Sequence, residues 1–144
     1  MSQTQDDKKS PRTVHFTKAV DVKTGKNGQT EGMERQAAIV GKSPSICGTL
    51  MRAHPHSSSA VHHHGDQDTI VYAVSGHGAV VTSSNDKDGD ERQVLAPGDW
   101  ALIPAYREHQ EVNEGEEEVV WVIVRAPGGT PEVVNLQGWG ESRK

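Results

Sequence analysis

The sequence predicts a single all-β domain, a barrel or sandwich of short strands, and three observations predict it. Its 144 residues suit one domain. From Ala37 onward, short runs rich in β-branched residues recur with turn residues between them. No stretch carries helical periodicity over three turns.

The elements follow in order. Met1–Arg12 is polar and charged, and is expected to be disordered alone. Thr13–Val20 alternates weakly and is read as a strand. Asp21–Met33 is rich in Gly, Asn and Lys and is read as a loop that could reach a neighbouring subunit. The expected strands are then Ala37–Val40, Ile46–Ala53, Ala60–His63, Thr69–Val74, Ala79–Thr82, Arg92–Leu95, Trp100–Ile103, Gln110–Val112 and Val119–Arg125. Gly41–Ser45, Ser75–Gly78, Ser83–Asp90, Ala96–Asp99 and Asn113–Gly115 separate them. This divides the chain into an arm over 1–36, a barrel core over 37–126 and a tail over 127–144. The arm is expected to be partly disordered or packed on a partner subunit. The tail carries Val133, Val134, Leu136 and Trp139, which an exposed segment would not need. It is expected to pack on the barrel or across a dimer.

Composition narrows the function. Only 33% of the residues are hydrophobic, so the core is thin and a homodimer would bury more apolar surface. The net charge is −5 and no stripe of Lys or Arg forms, which argues against nucleic acid and anionic membranes as partners. Cys47 is the one cysteine, so no internal disulfide forms, and its strand context reads as a buried small hydrophobe. Neither an apolar signal segment nor a membrane-length apolar run is present, and the expected location is cytoplasmic.

Five of the eight histidines lie between His54 and His64. Side chains two apart on a strand share a face, so His62 and His64 point together and His63 points away. Two such imidazoles can reach one metal ion, or they can be hydrogen-bonded surface groups. Downstream, Gly98, Pro104, His109 and Asn113 form a strand–turn–histidine segment.

Here the chain resembles the cupin superfamily, whose two motifs are G-x5-H-x-H-x3,4-E-x6-G and G-x5-P-x-G-x2-H-x3-N. His62, His64 and Gly76 answer the first. Gly98, Pro104, His109 and Asn113 answer the second. The resemblance covers Ile46 to Arg125 and implies a cupin-type double-stranded β-helix, or jelly roll, with a metal near one mouth. Three positions depart from the motifs. His56 stands where the first begins with Gly, Tyr106 replaces the Gly of the second, and Thr69 stands where the ligand Glu belongs.

The resemblance implies that His62, His64 and His109 hold one divalent transition metal ion (Fe, Mn, Ni, Zn or Cu). Gln67, Asp68 and Thr69 are the candidates for a fourth ligand. Tyr106 and Arg52 are the candidate catalytic or substrate-binding residues, Arg52 with His54 on one face of its strand; an exposed loop tyrosine and an outward-facing Arg52–His54 pair are the alternatives. Trp100 and Trp121 are read as barrel or interface residues. The expected activity is dioxygenase-type oxidation of a small oxygenated molecule. A metal-assisted lyase or isomerase, and a non-catalytic small-molecule or sugar-binding cupin, are the alternatives.

Overall fold

The computed structural model describes residues 11–25, 31–84 and 87–143. Twelve strands are present among them: β1 (Lys23–Thr24), β2 (Met33–Ile39), β3 (Cys47–Ala53), β4 (Ser57–Ser58), β5 (His62–His63), β6 (Asp68–Ser75), β7 (Gly78–Ser84), β8 (Lys87–Leu95), β9 (Trp100–Ile103), β10 (Gln110–Asn113), β11 (Val119–Ala126) and β12 (Val134–Asn135). A six-stranded sheet has the order β1-β2-β3-β11-β6-β9, a four-stranded sheet β4-β10-β7-β8, and β5 pairs with β12. Every pairing is antiparallel. The architecture is an all-β jelly roll, and among the described residues no helix is long and apolar enough to cross a membrane.

Alternation within the strands places the core between the sheets. On β11, Val119, Trp121 and Ile123 are buried, and so is Arg125 in the same phase. On β6, Thr69, Val71 and Ala73 face inward while Ile70 and Val74 face out. Pairing of Met33, Arg35 and Ala37 with Ala53, Met51 and Thr49 puts these six positions on the inner face of β2 and β3. Trp121 and Met51 anchor the apolar cluster. Each fully buried apolar side chain there contributes about 1.5–3 kcal/mol.

Several expected boundaries move. Residues 13–18 form no strand, and a short 3-10 turn follows at Ala19–Asp21. Thr17 instead donates to the Ala38 carbonyl at 2.7 Å and Phe16 is 83% exposed, so the alternation of this segment has no sheet to join. Strand β2 begins at Met33 and crosses the expected arm–core boundary. Strand β8 begins at Lys87, inside the separator expected over Ser83–Asp90. The disorder expected for Met1–Arg12 falls largely on residues 1–10, outside the described residues, as does 26–30 of the expected loop.

Two motif residues prove to be structural. Asn113 donates to the carbonyls of Ala53, His54 and Glu117 and accepts from Gly115 N–H, which ties the β10–β11 turn to the end of β3. Gly76 has φ +76°, and a Cβ there would stand 2.4 Å from the Glu118 carbonyl oxygen.

The tail lies against the histidine strand. Val134 and Asn135 pair with His63 and His62. Gln67 donates to the carbonyls of Pro127 and Thr130 and accepts from Glu132 N–H. The Glu108 carboxylate accepts from Gly140 and Ser142.

Candidate metal centre

Two neighbouring segments build the site. His62 and His109 sit directly opposite each other, exchanging backbone hydrogen bonds of 3.0 and 2.9 Å. Such a pair holds its side chains side by side on one face. His64, two residues beyond His62, adds a third imidazole. The ring centroids lie 4.3 Å (His62–His109), 4.9 Å (His62–His64) and 5.0 Å (His64–His109) apart. Glu111, two residues beyond His109, places a carboxylate on the same face. Its Oε2 lies 2.8 Å from Nε2 of both His62 and His109. Donor atoms of all four residues lie within 4.8 Å of one another, and all four are buried.

The imidazoles are oriented alike. Nδ1 of His62, His64 and His109 meets the carbonyl of Ala60, Glu132 and Arg107 at 2.8, 2.8 and 2.9 Å. A carbonyl only accepts, so each Nδ1 carries the proton and each Nε2 turns into the site. That backbone support is the arrangement in which histidine binds metals. Nε2 of His62 and of His109 is buried against the Glu111 carboxylate at 2.8 Å and has no other partner. Two such nitrogens converging with a carboxylate and a third imidazole fit a transition-metal ion.

The charges are set by burial and by two arginines. Burial would raise the Glu111 pKa, but His62 and His109 outweigh it and hold the carboxyl well below its ordinary range. Burial lowers His62, yet Glu111 more than reverses this and leaves it raised. His64 is pulled down to about 2 by burial and by Arg125 beside it. The Arg35 guanidinium lies 3.3 Å from Glu111. Arg125 donates from Nε to Thr69 Oγ1 and from Nη2 to His64 Nε2, both at 3.2 Å.

The three histidines named from the sequence are thus brought together, but the fourth position is corrected. Gln67 spends its amide on the tail. Asp68 is exposed, and its carboxylate accepts from Ala105 N–H. Thr69 is buried with its hydroxyl occupied by Arg125. Glu111 stands in the cluster instead. His109-x-Glu111 repeats the spacing of His62-x-His64, and that parity was the signal available in the sequence.

Of the two readings of Arg52, the structure shows the outward one. Arg52 faces outward on β3, bonded to Gln36 and Glu118, because residues 47, 49, 51 and 53 take the inner face. His54 is likewise exposed. The inward arginines are Arg35 and Arg125. Tyr106 is 62% exposed at φ +62°, with its ring 5.7 Å from that of His63. His63 turns from the cluster and accepts from Gly65 N–H. Trp121 is fully buried, whereas Trp100 is 69% exposed and packs at a tilt against Tyr72.

The sequence profile of the cupin domain matches residues 49–125, which include all four residues of the cluster. The chain belongs to the cupin family. Solved structures share the cupin fold with it. A Thermus thermophilus protein, TT1209, is 28% identical over 69% of this chain and 87% of its own, with a TM-score of 0.56. The polyketide cyclase RemF of Streptomyces resistomycificus is 19% identical over 92% and 89%, with a TM-score of 0.67. An oxalate decarboxylase of Lactobacillus farciminis, solved as a formate complex, is 21% identical over 81% of this chain and 34% of its own, with a TM-score of 0.67. A comparison with curated protein sequences gives no match.

Proposed function

We propose that this cupin is a mononuclear metal-dependent enzyme that oxidises a small oxygenated molecule in a dioxygenase-type reaction. The observation that carries the reading is the pair of buried Nε2 atoms of His62 and His109 converging on Glu111 beside His64, with no other partner. His62, His64, His109 and Glu111 hold the ion. A bound ion supplies Lewis acidity and, if it is Fe, Mn or Ni, electron transfer. The chain's own part is orientation and exclusion of water. The carbonyls of Ala60, Glu132 and Arg107 keep each imidazole in one tautomer. Burial of the four ligand residues keeps bulk solvent from the reacting centre.

Elemental analysis of the purified chain, followed by oxygen-electrode measurement with candidate substrates, tests this. One equivalent of a redox-capable ion and substrate-dependent oxygen uptake are expected. A chain that neither carries nor takes up a metal overturns the reading. One observation favours a second, a metal-assisted lyase or isomerase: Glu111 brings to the site the carboxylate that proton-transfer chemistry uses. Turnover that persists under strict anaerobiosis selects it.

We also propose that the chain works as a homodimer in the cytoplasm. Trp100 and Leu102 on edge strand β9 are 69% and 64% exposed beside Ile70 and Val74, an apolar face that a second copy would cover. Sedimentation equilibrium tests it, and a monomer at micromolar concentration overturns it.

A further inference from the structure

A cavity of about 530 Å³ is lined by residues of β2, β3, β11 and the tail. Val40, Ile123, Pro131 and Val133 give it apolar walls, and Arg35 and Arg125 also line it. The same two arginines touch the cluster, Arg35 through Glu111 and Arg125 through His64. Arg35 and Arg125 are therefore shared between the cavity lining and the surroundings of the ligand residues. Parity explains their place: each occupies an inward position of a strand whose other inward positions are apolar or small.

Glu111 is the one carboxylate within the cluster, and two positive charges, those of Arg35 and Arg125, lie beside it. A divalent ion would add two more in a buried setting, where uncompensated charge is costly. No further carboxylate joins the cluster among the described residues.

Arg125 also has a conditional partner. Its Nη2 donates to the Nε2 lone pair of His64, the one that a metal ion would take. Once that lone pair is taken, a buried guanidinium N–H loses its acceptor, while Nε stays on Thr69. A buried donor without an acceptor costs about 1–3 kcal/mol, and more when it is charged.

We infer that the cavity binds a small organic carboxylate, clamped by Arg35 and Arg125, and that metal binding primes the clamp by releasing Arg125 from His64. The inference rests on the metal reading given above and names the substrate class of that site. A carboxylate answers the planar, two-pronged geometry of guanidinium, and the apolar walls accommodate a short carbon skeleton. Metal and carboxylate then bind cooperatively, each favouring the other equally.

The coupling has a signature that a merely structural role lacks. Arg125 competes with the ion for His64 and repels it, so its removal favours metal. The same removal takes away half of the clamp.

Calorimetric titration of the full chain with zinc(II), and of the zinc-free and zinc-loaded forms with malonate and with inorganic phosphate, tests this. Zinc loading is expected to tighten malonate binding at least roughly tenfold. Arg125→Gln is expected to bind zinc as tightly as the parent or more tightly, and malonate roughly 30-fold more weakly. Unchanged malonate affinity in zinc-loaded Arg125→Gln overturns the clamp. Tighter binding of phosphate than of malonate overturns the assignment to carboxylates. Should Arg125→Gln lose both ligands, Arg35→Gln decides, because that side chain is partly exposed. Unchanged malonate affinity there overturns the clamp. If the parent takes up no zinc, the metal reading fails, and comparing parent with Arg125→Gln without metal judges the arginine pair separately.

Discussion

Replacing Glu111 by Gln keeps the side-chain shape and removes the one negative charge of the cluster. In the metal-free protein that charge faces Arg35 at 3.3 Å and His62 at 2.8 Å, with Glu111 only 3% exposed. Breaking a buried pair by removing one partner costs about 3–5 kcal/mol. We take about 3 kcal/mol, since Arg35 is partly exposed and His62 can shed its proton. At about 2.1 cal/mol/K per residue, the 144-residue chain unfolds with an entropy near 0.3 kcal/mol/K, so Tm falls by about 10 °C. The pH dependence has a definite sign. The depressed pKa of Glu111 gives stability that is present above its ordinary value of 4.5 and lost as pH falls through the folded value. The raised pKa of His62 gives stability that is full below 6.5 and lost as pH rises through the folded value. The pair therefore contributes most between pH 4.5 and 6.5. Thermal denaturation of chelator-treated parent and Glu111→Gln at pH 6 and pH 8.5 reads both effects. The gap in Tm should be wide at pH 6 and narrower at pH 8.5. A gap under about 2 °C at pH 6, or one that widens with pH, refutes the charge arrangement.

Other perturbations follow from the same geometry. Below the raised pKa of His62, zinc affinity should fall about tenfold per pH unit as the proton competes for Nε2; competitive chelator titration that finds it flat between pH 7 and 5.5 counts against His62 as a ligand. His109→Ala should lose stoichiometric metal while His63→Ala retains it, as elemental analysis after gel filtration would show, and equal losses would contradict the strand parity. Tyr106→Gly should raise Tm by about 2 °C, because a left-handed non-glycine residue costs about 1–2 kcal/mol and glycine returns only part of that through chain entropy; calorimetry showing a lower Tm would assign Tyr106 a stabilising contact. Gln67→Ala should cost about 2–3 kcal/mol in urea unfolding through three lost hydrogen bonds, and should weaken metal binding because Glu132 loses its hold on His64. A fall in stability with unaltered zinc affinity would separate the tail clamp from the site.

Most of the fold was legible because it rests on local pattern. The nine strands expected from Ala37 onward all occur, since alternation and turn residues act within a few positions. What was missed depends on distant partners. Strands β1, β4 and β12 are two residues each and exist only because β2, β10 and β5 lie beside them. The histidines were legible as a set because motif spacing encodes it. Glu111 is legible in principle by the same parity, but the family pattern places the carboxylate at 67–69 instead. The phase of β3 was not legible from its own residues: Arg52 and His54 share a face, yet only pairing with β2 and β11 shows that it is the outer one.

The departures from the family motifs are coupled, and the coupling gives them a common reading. Thr69 pairs with Arg125 in the β6–β11 register, and its hydroxyl accepts from the Arg125 guanidinium. A carboxylate at 69 would hold that guanidinium in a direct ion pair. With threonine there, Arg125 keeps a neutral partner on Nε, and its Nη2 reaches His64. The carboxylate that the donor set needs comes instead from Glu111, where Arg35 steadies it. The glycine positions of the two motifs obey a separate, conformational rule. His56 and Tyr106 replace glycine, yet both keep positive φ, at 57° and 62°. The backbone path to His62 and His109 is therefore retained at some cost in strain, while the charged lining has been rearranged. The strand path that sets His62 opposite His109 is thus kept, while the charged residues around the cluster differ from the motif.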